Sequence, residues 1–433
     1  MPPKRILLFT SKLGYQTRSF DQAARRLDIA LILVTDRCHQ LDDPWGDRAI
    51  PVHFDSPEAA AQAVLEQVRG DSQIGGVLVV GDRPSVAAAF VARGLGLAYN
   101  HPASVEACRS KLRMREVFRD AGLQVPWFRT VSLHPLPEPA LLGMAYPCVL
   151  KPLSRSASQG VIRANNREDF LSASRRIQAL LHSPEIRAGR EDNSDQIVVE
   201  GYIPGAEVAV EGLLSDGELR VLAIFDKPDP LEGPFFEETI YTTPSRWPEA
   251  QQRQIEKCAA DAVRALGLTQ CPVHAEFRIN ENGVCPLEVA PRPIGGLCAR
   301  ALRFQSSATD EAIGLEELLL RHAVGLSINE WRRERSASGV MMIPVPTSGI
   351  LEMVEGEQAA RSTSGVTELY ITARLHDYVT AWPEGSSYLG FLFAKADNAG
   401  QVEDVLRLAH SKLRFTWSPR LAVQHPATER IVQ

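Results

Sequence analysis

The chain has 433 residues, which is too long for one ordinary hydrophobic core and predicts two to four domains. Hydrophobic residues make up 44% and charged residues 23% of the chain, a composition typical of a soluble globular protein. The net charge is −6 and the chain contains no block of basic residues, which argues against nucleic acid as a partner. No apolar run reaches the roughly 18 residues that a membrane span needs.

Strand and helix patterns alternate through the first hundred residues. Strands are predicted at residues 5–11 (RILLFTS), 30–35 and 74–80 (IGGVLVV), and helices at residues 19–27, 57–69 and 85–93. Nearly continuous apolar strands separated by helices indicate a parallel sheet in a βαβ layer. No GxGxxG follows the first strand, so this Rossmann-like domain, which we bound at residues 1–104, does not predict a dinucleotide site.

The pattern becomes mixed beyond residue 104. A helix is predicted at residues 104–121, strands at 146–151, 196–200 and 206–214, and a further helix at 249–266. From about residue 331, short strand candidates are broken by Gly and Pro, at residues 341–344, 349–354, 368–370, 381–382 and 389–394, with a helix at 401–412. We therefore predict an α/β and α+β protein with a central domain at 105–330 and a small C-terminal α+β domain at 331–433.

One predicted hairpin places acidic residues where packing favours apolar ones. The segment EFRINENGVCPLEVAPRPIGG carries Glu276 and Glu288 on the two sides of an Asn-Gly turn. A two-residue turn at this Asn-Gly pair would point the acids to opposite faces, whereas a three-residue loop at 281–283 places them directly opposite each other. The sequence favours the second form, because Asn280 suits the start of a type I turn and a glycine its left-handed end.

This register predicts a metal site. Two carboxylates on directly opposed residues, with Cβ atoms about 5 Å apart, repel each other unless one is protonated or a cation lies between them. Magnesium prefers oxygen ligands and would remove the repulsion between Glu276 and Glu288. Arg292 shares the face of Glu288 and could hold an anion beside the metal. The alternative is a solvated hairpin face with a Glu–Arg pair.

A loop rich in hydroxyl groups follows the predicted strand that ends at Lys151. The segment KPLSRSASQGV contains Ser154, Ser156, Ser158 and Gly160, whose small side chains would let backbone amides close over phosphate groups. No GxxxxGK[ST] motif is present, so a nucleotide would need a cradle of this other kind. The alternative is an ordinary surface loop.

Two further features support a nucleotide site. Lys111, on a predicted helix, could supply a second ammonium group, although taken alone it would be a solvated helix lysine. The segment VVEGYIPGAEVAVEG leaves a strand at Glu200, turns through Pro-Gly and resumes near Glu207. Such a hinge exposes main-chain groups to an adenine edge, and Glu207 could accept hydrogen bonds from ribose hydroxyls.

Together these pieces resemble the ATP-grasp superfamily over roughly residues 1–330. The resemblance implies that a set of small and basic residues contacts the ATP phosphates: Lys111, Lys151, Ser156, Ser158 and Gly160. It implies an adenine and ribose site on the hinge, at Glu200, Gly201, Ile203 and Glu207. It also implies that magnesium, as one or two ions and with manganese as an alternative, binds Glu276 and Glu288.

One position departs from the family's pattern. The usual closing motif of the family is E-x-N-x-R, whereas this chain has Glu288, Ala290 and Arg292 at the corresponding positions. Ala290 replaces the asparagine that helps to hold a second magnesium ion. Either water or substrate fills that position, or one metal ion alone binds tightly.

Three segments look like the L-amino-acid ligase group: FDKPDPLEGPFFEETIYTTP, APRPIGG and PVPTSGILEMVEG. The resemblance implies an ATP-dependent carboxylate–amine ligase that joins two amino acids through an acylphosphate, with Arg292 and Lys151 as catalytic residues. Lys227 is a further candidate for phosphate contact, with an exposed turn lysine as the alternative, and residues 228–238 are a candidate lid. A ligase with another amine acceptor and a non-catalytic nucleotide-binding protein, the latter suggested by Ala290, remain as alternatives.

The sequence also bears on location and partners. The start MPPKRILLFTS turns polar after a short apolar run, as a first strand does and a secretory signal does not. The seven cysteines are scattered without a CxxC pair, which fits a reducing compartment. We expect a cytoplasmic protein that acts on small-molecule amino acids without nucleic-acid or membrane partners, and a homodimer is one oligomeric state that the sequence leaves open.

Overall fold

A parallel sheet forms the N-terminal part of the protein. The computed structural model describes residues 4–11, 15–36, 49–133, 143–153, 155–188, 195–309 and 311–419. The first elements in chain order are β1 (Arg5–Thr10), α1 (Tyr15–Arg26), β2 (Ala30–Thr35), β3 (Ala49–Pro51), α2 (Pro57–Gln67), β4 (Ile74–Val80) and α3 (Ser85–Leu95). The strands pair in parallel in the order β3-β2-β1-β4. Residues 6–9 of β1 are fully buried, as expected for the inner strand of a parallel sheet covered on both faces.

Two helices follow where the sequence predicted one, so the single helix at 104–121 is wrong. They are α4 (Pro102–Arg109) and α5 (Lys111–Asp120), and they break at Ser110. The Ser110 side chain accepts a hydrogen bond from the Arg113 amide at 3.3 Å, which caps the start of α5. A serine competes for backbone amides and so favours a helix start over a helix interior. The break makes Lys111 the first residue of α5.

A small antiparallel sheet comes next. Its elements are β5 (Phe128–Ser132), β6 (Cys148–Pro152), β7 (Ile162–Ala164), α6 (Arg167–Leu181), α7 (Pro184–Ala188) and β8 (Gln196–Gly201). The strand order is β5-β8-β6-β7, with α6 packed on one face through Phe170, Ala173 and Ile177. The loop between β6 and β7 contains the predicted phosphate-binding segment.

An eight-stranded sheet forms the centre of the molecule. Its first members are β9 (Ala206–Ser215), β10 (Glu218–Lys227), β11 (Ile240–Thr243), β12 (Cys271–Asn280) and β13 (Gly283–Ala290), with α8 (Glu249–Ala265) between β11 and β12. The full strand order is β13-β12-β9-β10-β11-β17-β21-β19. Helix α8 covers one face through Ile255, Ala259 and Val263. The acidic hairpin is therefore the edge pair of this sheet.

The last third of the chain extends the same sheet. Its elements are a 3₁₀ helix (Cys298–Ala301), β14 (Arg303–Ser306), β15 (Ala312–Gly314), α9 (Leu315–Ala323), β16 (Trp331–Arg333), β17 (Ala337–Ile343), β18 (Gly349–Glu355), α10 (Glu357–Arg361), β19 (Val366–Ile371), β20 (Tyr378–Val379), β21 (Gly390–Ala396), α11 (Ala399–His410) and β22 (Arg414–Ser418). Strand β17 pairs directly with β11, so β17, β21 and β19 continue the central sheet. Strands β18, β20 and β22 form a separate three-stranded sheet, and β14, β15 and β16 form another. Residues 381–382, predicted as a strand, form a turn that the Gly385 amide closes onto the Ala381 carbonyl at 2.9 Å. Pro383, which has no amide to donate, disfavours a paired strand there.

One buried core joins these regions. Ile6 of β1, Phe225 of β10, Leu318 of α9 and Phe391 of β21 belong to the same apolar cluster. Polar contacts add to it, such as the hydrogen bond from Lys4 Nζ to the Val324 carbonyl at 2.6 Å. Among the described residues, no helix is both long enough and apolar enough to cross a membrane.

Candidate active site

Two cavities meet at the β12–β13 hairpin. The narrower is a cleft between β6, β8 and the hairpin, lined by side chains that include Lys111, Lys151 and Ile203. The wider, of about 1460 Å³, lies between the N-terminal sheet, the β6–β7 loop, the hairpin and the last third of the chain. Five residues line both cavities: Arg155, Ser156, Ser158, Glu276 and Glu288. A group bound in one cavity can reach a group bound in the other at this junction.

The hairpin register opposes the two glutamates, as predicted, but the turn is different. Glu276 pairs with Glu288. Asn280 pairs with Gly283, however, so the connection has two residues rather than the predicted three. Leu287 is the extra residue, in a bulge that restores the predicted register at the glutamates. The Asn280 side chain accepts the Asn282 amide at 2.9 Å, which favours the tighter turn.

Lys227 lies at the centre of an acidic cluster. Carboxylate oxygens of Glu207, Glu238 and Glu276 lie within 4.8 Å of one another. The Lys227 Nζ atom is 2.7 Å from Glu207 Oε1, 3.1 Å from Glu276 Oε1, and also bonded to Glu238. Its side chain is only 3% exposed, so the alternative of an exposed turn lysine is wrong. Burial would lower the pKa of Lys227, but the three carboxylates outweigh it and raise this pKa well above its usual value.

Opposite charges also set the protonation of the acids around Lys227. Burial would raise the pKa of Glu276, but Lys227 and His274 hold it well below its usual value. Burial, together with the charge of Glu276, raises the pKa of Glu238 to about 7. The cluster therefore concentrates negative charge on Glu276, the residue that faces both cavities. Glu238 lies in the predicted lid segment and was not assigned a role from the sequence.

His274 connects this cluster to a second buried acid. Its Nδ1 atom lies 2.6 Å from Glu211 Oε1, and its Nε2 atom 3.4 Å from Glu276 Oε1. Burial would lower the pKa of His274, but hydrogen bonds to the two glutamates raise it to about 9. His274 was not singled out from the sequence. Its place two residues before Glu276 on the same face of a strand is the signal that could have found it.

The two predicted phosphate lysines lie in the cleft. Lys111 Nζ donates to the Arg155 carbonyl, which ties α5 to the β6–β7 loop. Loss of hydration around Lys111 lowers its pKa, although Glu288 pulls the pKa upwards. Lys151 pairs with Glu200 at the base of the cleft.

Arg115 holds Glu200 from the other side. Arg115 Nε donates to Glu200 Oε2 at 2.8 Å, and both side chains are 3% exposed. Burial would raise the pKa of Glu200, but Arg115 and Lys151 bring it down to about 2. The Glu200 side chain is therefore an ionised anchor for two cations. Arg115 was not assigned a role from the sequence.

The β6–β7 loop only partly matches its prediction. Ser156 and Ser158 line the junction of the cavities. The Gly160 amide donates instead to the Pro383 carbonyl at 2.8 Å, so it is already bonded. A Cβ atom at Gly160 would lie 2.8 Å from Pro152, which explains the glycine by close packing. Ser154 lies outside the described residues.

The hinge residues Gly201, Ile203 and Glu207 come together at the far end of the cleft. Arg278 Nε donates to Glu207 Oε2 at 3.0 Å, and Arg278 Nη1 donates to the Ile203 carbonyl at 3.1 Å. A Cβ atom at Gly201 would lie 2.8 Å from Trp127 Nε1, so a larger residue there would have to displace the Trp127 ring. Arg278, which the sequence did not single out, fixes the hinge to the edge hairpin.

Arg292 reaches the wider cavity but already has an anionic partner. Its Nε and Nη2 atoms lie 2.6 and 3.0 Å from the two carboxylate oxygens of Asp82. Burial would raise the pKa of Asp82, but Arg292 outweighs this effect and lowers it. Asp82 follows the carboxyl end of β4, the edge at which parallel sheets place ligand-binding residues. Asp82 was not predicted as a site residue, although its position just after a predicted parallel strand could have identified it.

Family comparisons agree with this architecture. Residues 144–301 match the ATP-grasp domain family, and residues 341–418 match L-amino acid ligase C-terminal domain 2. The chain therefore carries an ATP-grasp domain followed by an L-amino acid ligase C-terminal domain.

Individual proteins are similar at low identity. An uncharacterized protein, y4rH, of Sinorhizobium fredii is 22% identical over 96% of this chain and 84% of its own length. The alanine–anticapsin ligase of Bacillus amyloliquefaciens is 30% identical, but the match spans 46% of this chain and 44% of that ligase. The crystal structure of an L-amino acid ligase from Bacillus licheniformis has a TM-score of 0.76 at 24% identity and covers 96% of this chain and 99% of that chain, which shows the shared fold.

Proposed function

We propose that this protein is an ATP-dependent ligase that joins the carboxylate of one amino acid to the amine of another. The γ-phosphoryl group of ATP passes to the carboxylate, giving an acylphosphate and ADP. The amine then attacks the carbonyl carbon and phosphate leaves, so that a dipeptide is formed. The observation that carries this proposal is the junction of the two cavities at Glu276 and Glu288, where a nucleotide and a carboxylate substrate can meet.

The cleft residues suit ATP. Lys111 and Lys151 provide positive charge for the phosphate groups, and Ser156 and Ser158 provide small side chains beside them. Glu200, Gly201 and Ile203 line the cleft, and we assign the base to this hinge. We assign Glu207, which lines the cleft, to the ribose and Lys227 to the phosphates, and buried ion pairs hold both side chains.

The hairpin suits magnesium. Glu276 and Glu288 offer hard oxygen donors from directly opposed positions, and among the described residues Glu288 makes neither a hydrogen bond nor an ion pair. These two residues would hold the metal, or manganese in its place, and the ion would neutralise charge on the transferred phosphoryl group. Ala290, which is buried and pairs with His274, adds no oxygen ligand, which favours one tightly bound ion over two.

The remaining residues position the substrates and exclude water. We assign to Arg292, which Asp82 holds, the stabilisation of the acylphosphate and of the oxyanion formed when the amine attacks. The β6–β7 loop covers the junction of the cavities and keeps water from the acylphosphate. Binding both substrates in one cavity turns their encounter into an intramolecular-like step.

A product screen tests the proposal. We expect a mixture of the twenty amino acids with ATP and magnesium to give dipeptide masses, with ADP release that depends on the amino acids. A parallel assay with amines that are not amino acids, such as ribonucleotide amines, separates another acceptor from an amino acid. ATP binding without substrate-stimulated phosphate release would instead indicate a non-catalytic nucleotide-binding protein and overturn the proposal.

A further inference from the structure

The β6–β7 loop is bonded to a turn of the C-terminal region at several points. We define the phosphate loop as residues 155–160 and the C-terminal turn as residues 381–385. The Gly160 amide donates to the Pro383 carbonyl at 2.8 Å, and Gln159 Nε2 donates to the Glu384 carbonyl at 2.7 Å. These two bonds join segments more than 200 residues apart.

A buried tryptophan adds a third bond between the same segments. Trp382 Nε1 donates to the Ala157 carbonyl at 3.2 Å, and Trp382 is 6% exposed. Gln159 is also 6% exposed, and its Oε1 atom accepts from Arg155 Nε at 3.0 Å. Outside this buried set, Arg176 and Glu384 form a two-bond ion pair with both distances at 2.8 Å.

The phosphate loop has a backbone that needs such support. Ala157 and Ser158 adopt left-handed conformations with φ of 55° and 54°, although neither is a glycine. Left-handed backbone at such residues costs free energy and persists only where surrounding contacts impose it. The C-terminal turn bonds to the carbonyl of Ala157 and to the two residues that follow Ser158.

The C-terminal turn also connects to the wider cavity. The ring of Trp382 lies 4.9 Å from that of Tyr388, and the ring of Tyr388 lies 6.1 Å from that of Phe391, between centroids. A Cβ atom at Gly296 would lie 2.8 Å from the Phe391 ring, four residues after Arg292. A row of aromatic rings therefore runs from the phosphate loop to the segment that follows Arg292.

We propose that the C-terminal turn is the positioning element of the phosphate loop. Its two carbonyl groups and the Trp382 indole hold the loop closed over the cleft, so that the C-terminal region sets the closure of the nucleotide site. Trp382 and Gln159 are positioning residues in this scheme. The inference rests on the proposed function only in that the loop is taken to cover the phosphates of ATP.

The test uses the full-length protein with Trp382→Ala and Gln159→Met, which remove loop contacts without adding charge. Trypsin cleavage after Arg155 reports loop opening without any ligand. The ratio of the dissociation constants of ATP and AMP, each with magnesium, reports contacts to the outer phosphates. We expect faster cleavage after Arg155 in both variants and a roughly 3- to 10-fold weaker binding of ATP, with AMP binding unchanged.

Two controls separate positioning from general stability. Trp417→Ala truncates another tryptophan of the C-terminal core without touching the loop, and Glu384→Gln breaks the exposed ion pair while keeping the carbonyl. Both are expected to match the wild type in cleavage rate and in the ATP to AMP ratio. If Gln159→Met has the cleavage rate and the ATP to AMP ratio of the wild type, the proposal is overturned, even if Trp382→Ala fails to fold. If the wild type does not bind ATP, the proposed function fails, while the cleavage rates still decide this inference.

Discussion

At the scale of single residues, the site is organised by a few cations that hold several acids. Lys227 contacts three carboxylates, Arg115 and Lys151 share Glu200, and Arg292 is bound to Asp82. Each of these groups would be costly to bury alone, and each is buried or half-buried with a partner of opposite charge. Removing one of these side chains therefore leaves its charged partner unpaired, and the effect on activity and stability depends on which partner that is.

Glu288 is the acid whose removal is expected to abolish activity without loss of the fold. In Glu288→Ala, amino-acid-dependent ADP release should fall by more than about 100-fold, because a metal ligand is lost. The melting temperature should stay at or above that of the wild type, since removing one of two opposed carboxylates relieves repulsion. Glu281→Ala, in the exposed turn of the same hairpin, is the matched control. Turnover like that of the wild type in Glu288→Ala would remove the metal assignment.

Lys151 is expected to act mainly on nucleotide affinity. Loss of a charged phosphate contact in Lys151→Ala should weaken ATP binding roughly tenfold to a hundredfold, as measured by calorimetric titration. Glu200 keeps its bonds to Arg115, so the fold should be retained. Lys257→Ala, which removes the same charge from an exposed helix position, should bind ATP like the wild type. An unchanged affinity in Lys151→Ala would count against the phosphate role.

At the scale of elements, the sequence predicted local patterns and missed those that depend on side-chain competition. The apolar strands of the N-terminal sheet were predicted from periodicity, and the opposed register of Glu276 and Glu288 was predicted from the residues of the turn. The two-residue turn and the bulge at Leu287 were not predicted. The shorter turn shifts the strand pairing by one residue and the bulge shifts it back, so the two changes cancel at the glutamates. The helix break at Ser110 was missed because a serine inside an apolar pattern can either cap a new helix or continue the existing one, and the sequence alone does not distinguish these cases.

The segment between β10 and β11 should make stability depend on pH. Burial raises the pKa of Glu237 to about 7, while the side chain accepts the Val345 amide at 3.2 Å. A raised acid pKa favours the folded state below the unfolded pKa near 4.5 and loses that contribution as the pH rises to about 7. Glu237→Gln should therefore raise the free energy of unfolding at pH 8 by about 1 kcal/mol, a figure reduced for partial exposure.

Denaturant unfolding at several pH values checks this expectation. The difference between Glu237→Gln and the wild type should shrink as the pH falls from 8 to 4.5. Glu232→Gln, in an exposed part of the same segment, should show no such dependence. A difference that grows at low pH would show that the sign is wrong.

At the scale of the whole molecule, strand pairing joins the central and C-terminal regions, which the sequence predicted as separate domains. A composition change near residue 331 predicted a separate small domain, and the C-terminal family match covers residues 341–418. Strand β17 nevertheless pairs with β11 along four residue pairs, and Val340 and Phe393 are buried in a core that also contains Ile6 and Phe225. Pairing between distant strands leaves no local signal in one sequence, so this continuity could not be predicted.

Truncation tests this continuity. A chain ending at residue 330 would lose β17, β21 and β19, and would expose the edge of β11 with the apolar face beneath it. We expect such a chain to aggregate or to unfold without a cooperative transition, as seen by gel filtration and thermal melting. A chain ending at residue 419, which keeps every described strand, is the control. A monomeric, cooperatively folded chain of residues 1–330 would contradict the expectation.

The pairing of β11 with β17 also limits how such ligases can be recombined. A chimera that imports the C-terminal region of a relative must reproduce a ladder of main-chain bonds and an apolar seam, and not only a linker. Exchange of the short segments 372–377 and 386–387, which lie outside the C-terminal turn and its Trp382, leaves that seam intact, and these segments border the wider cavity. Grafting at these segments, rather than swapping the domain, is therefore the route to a changed substrate range that the architecture permits.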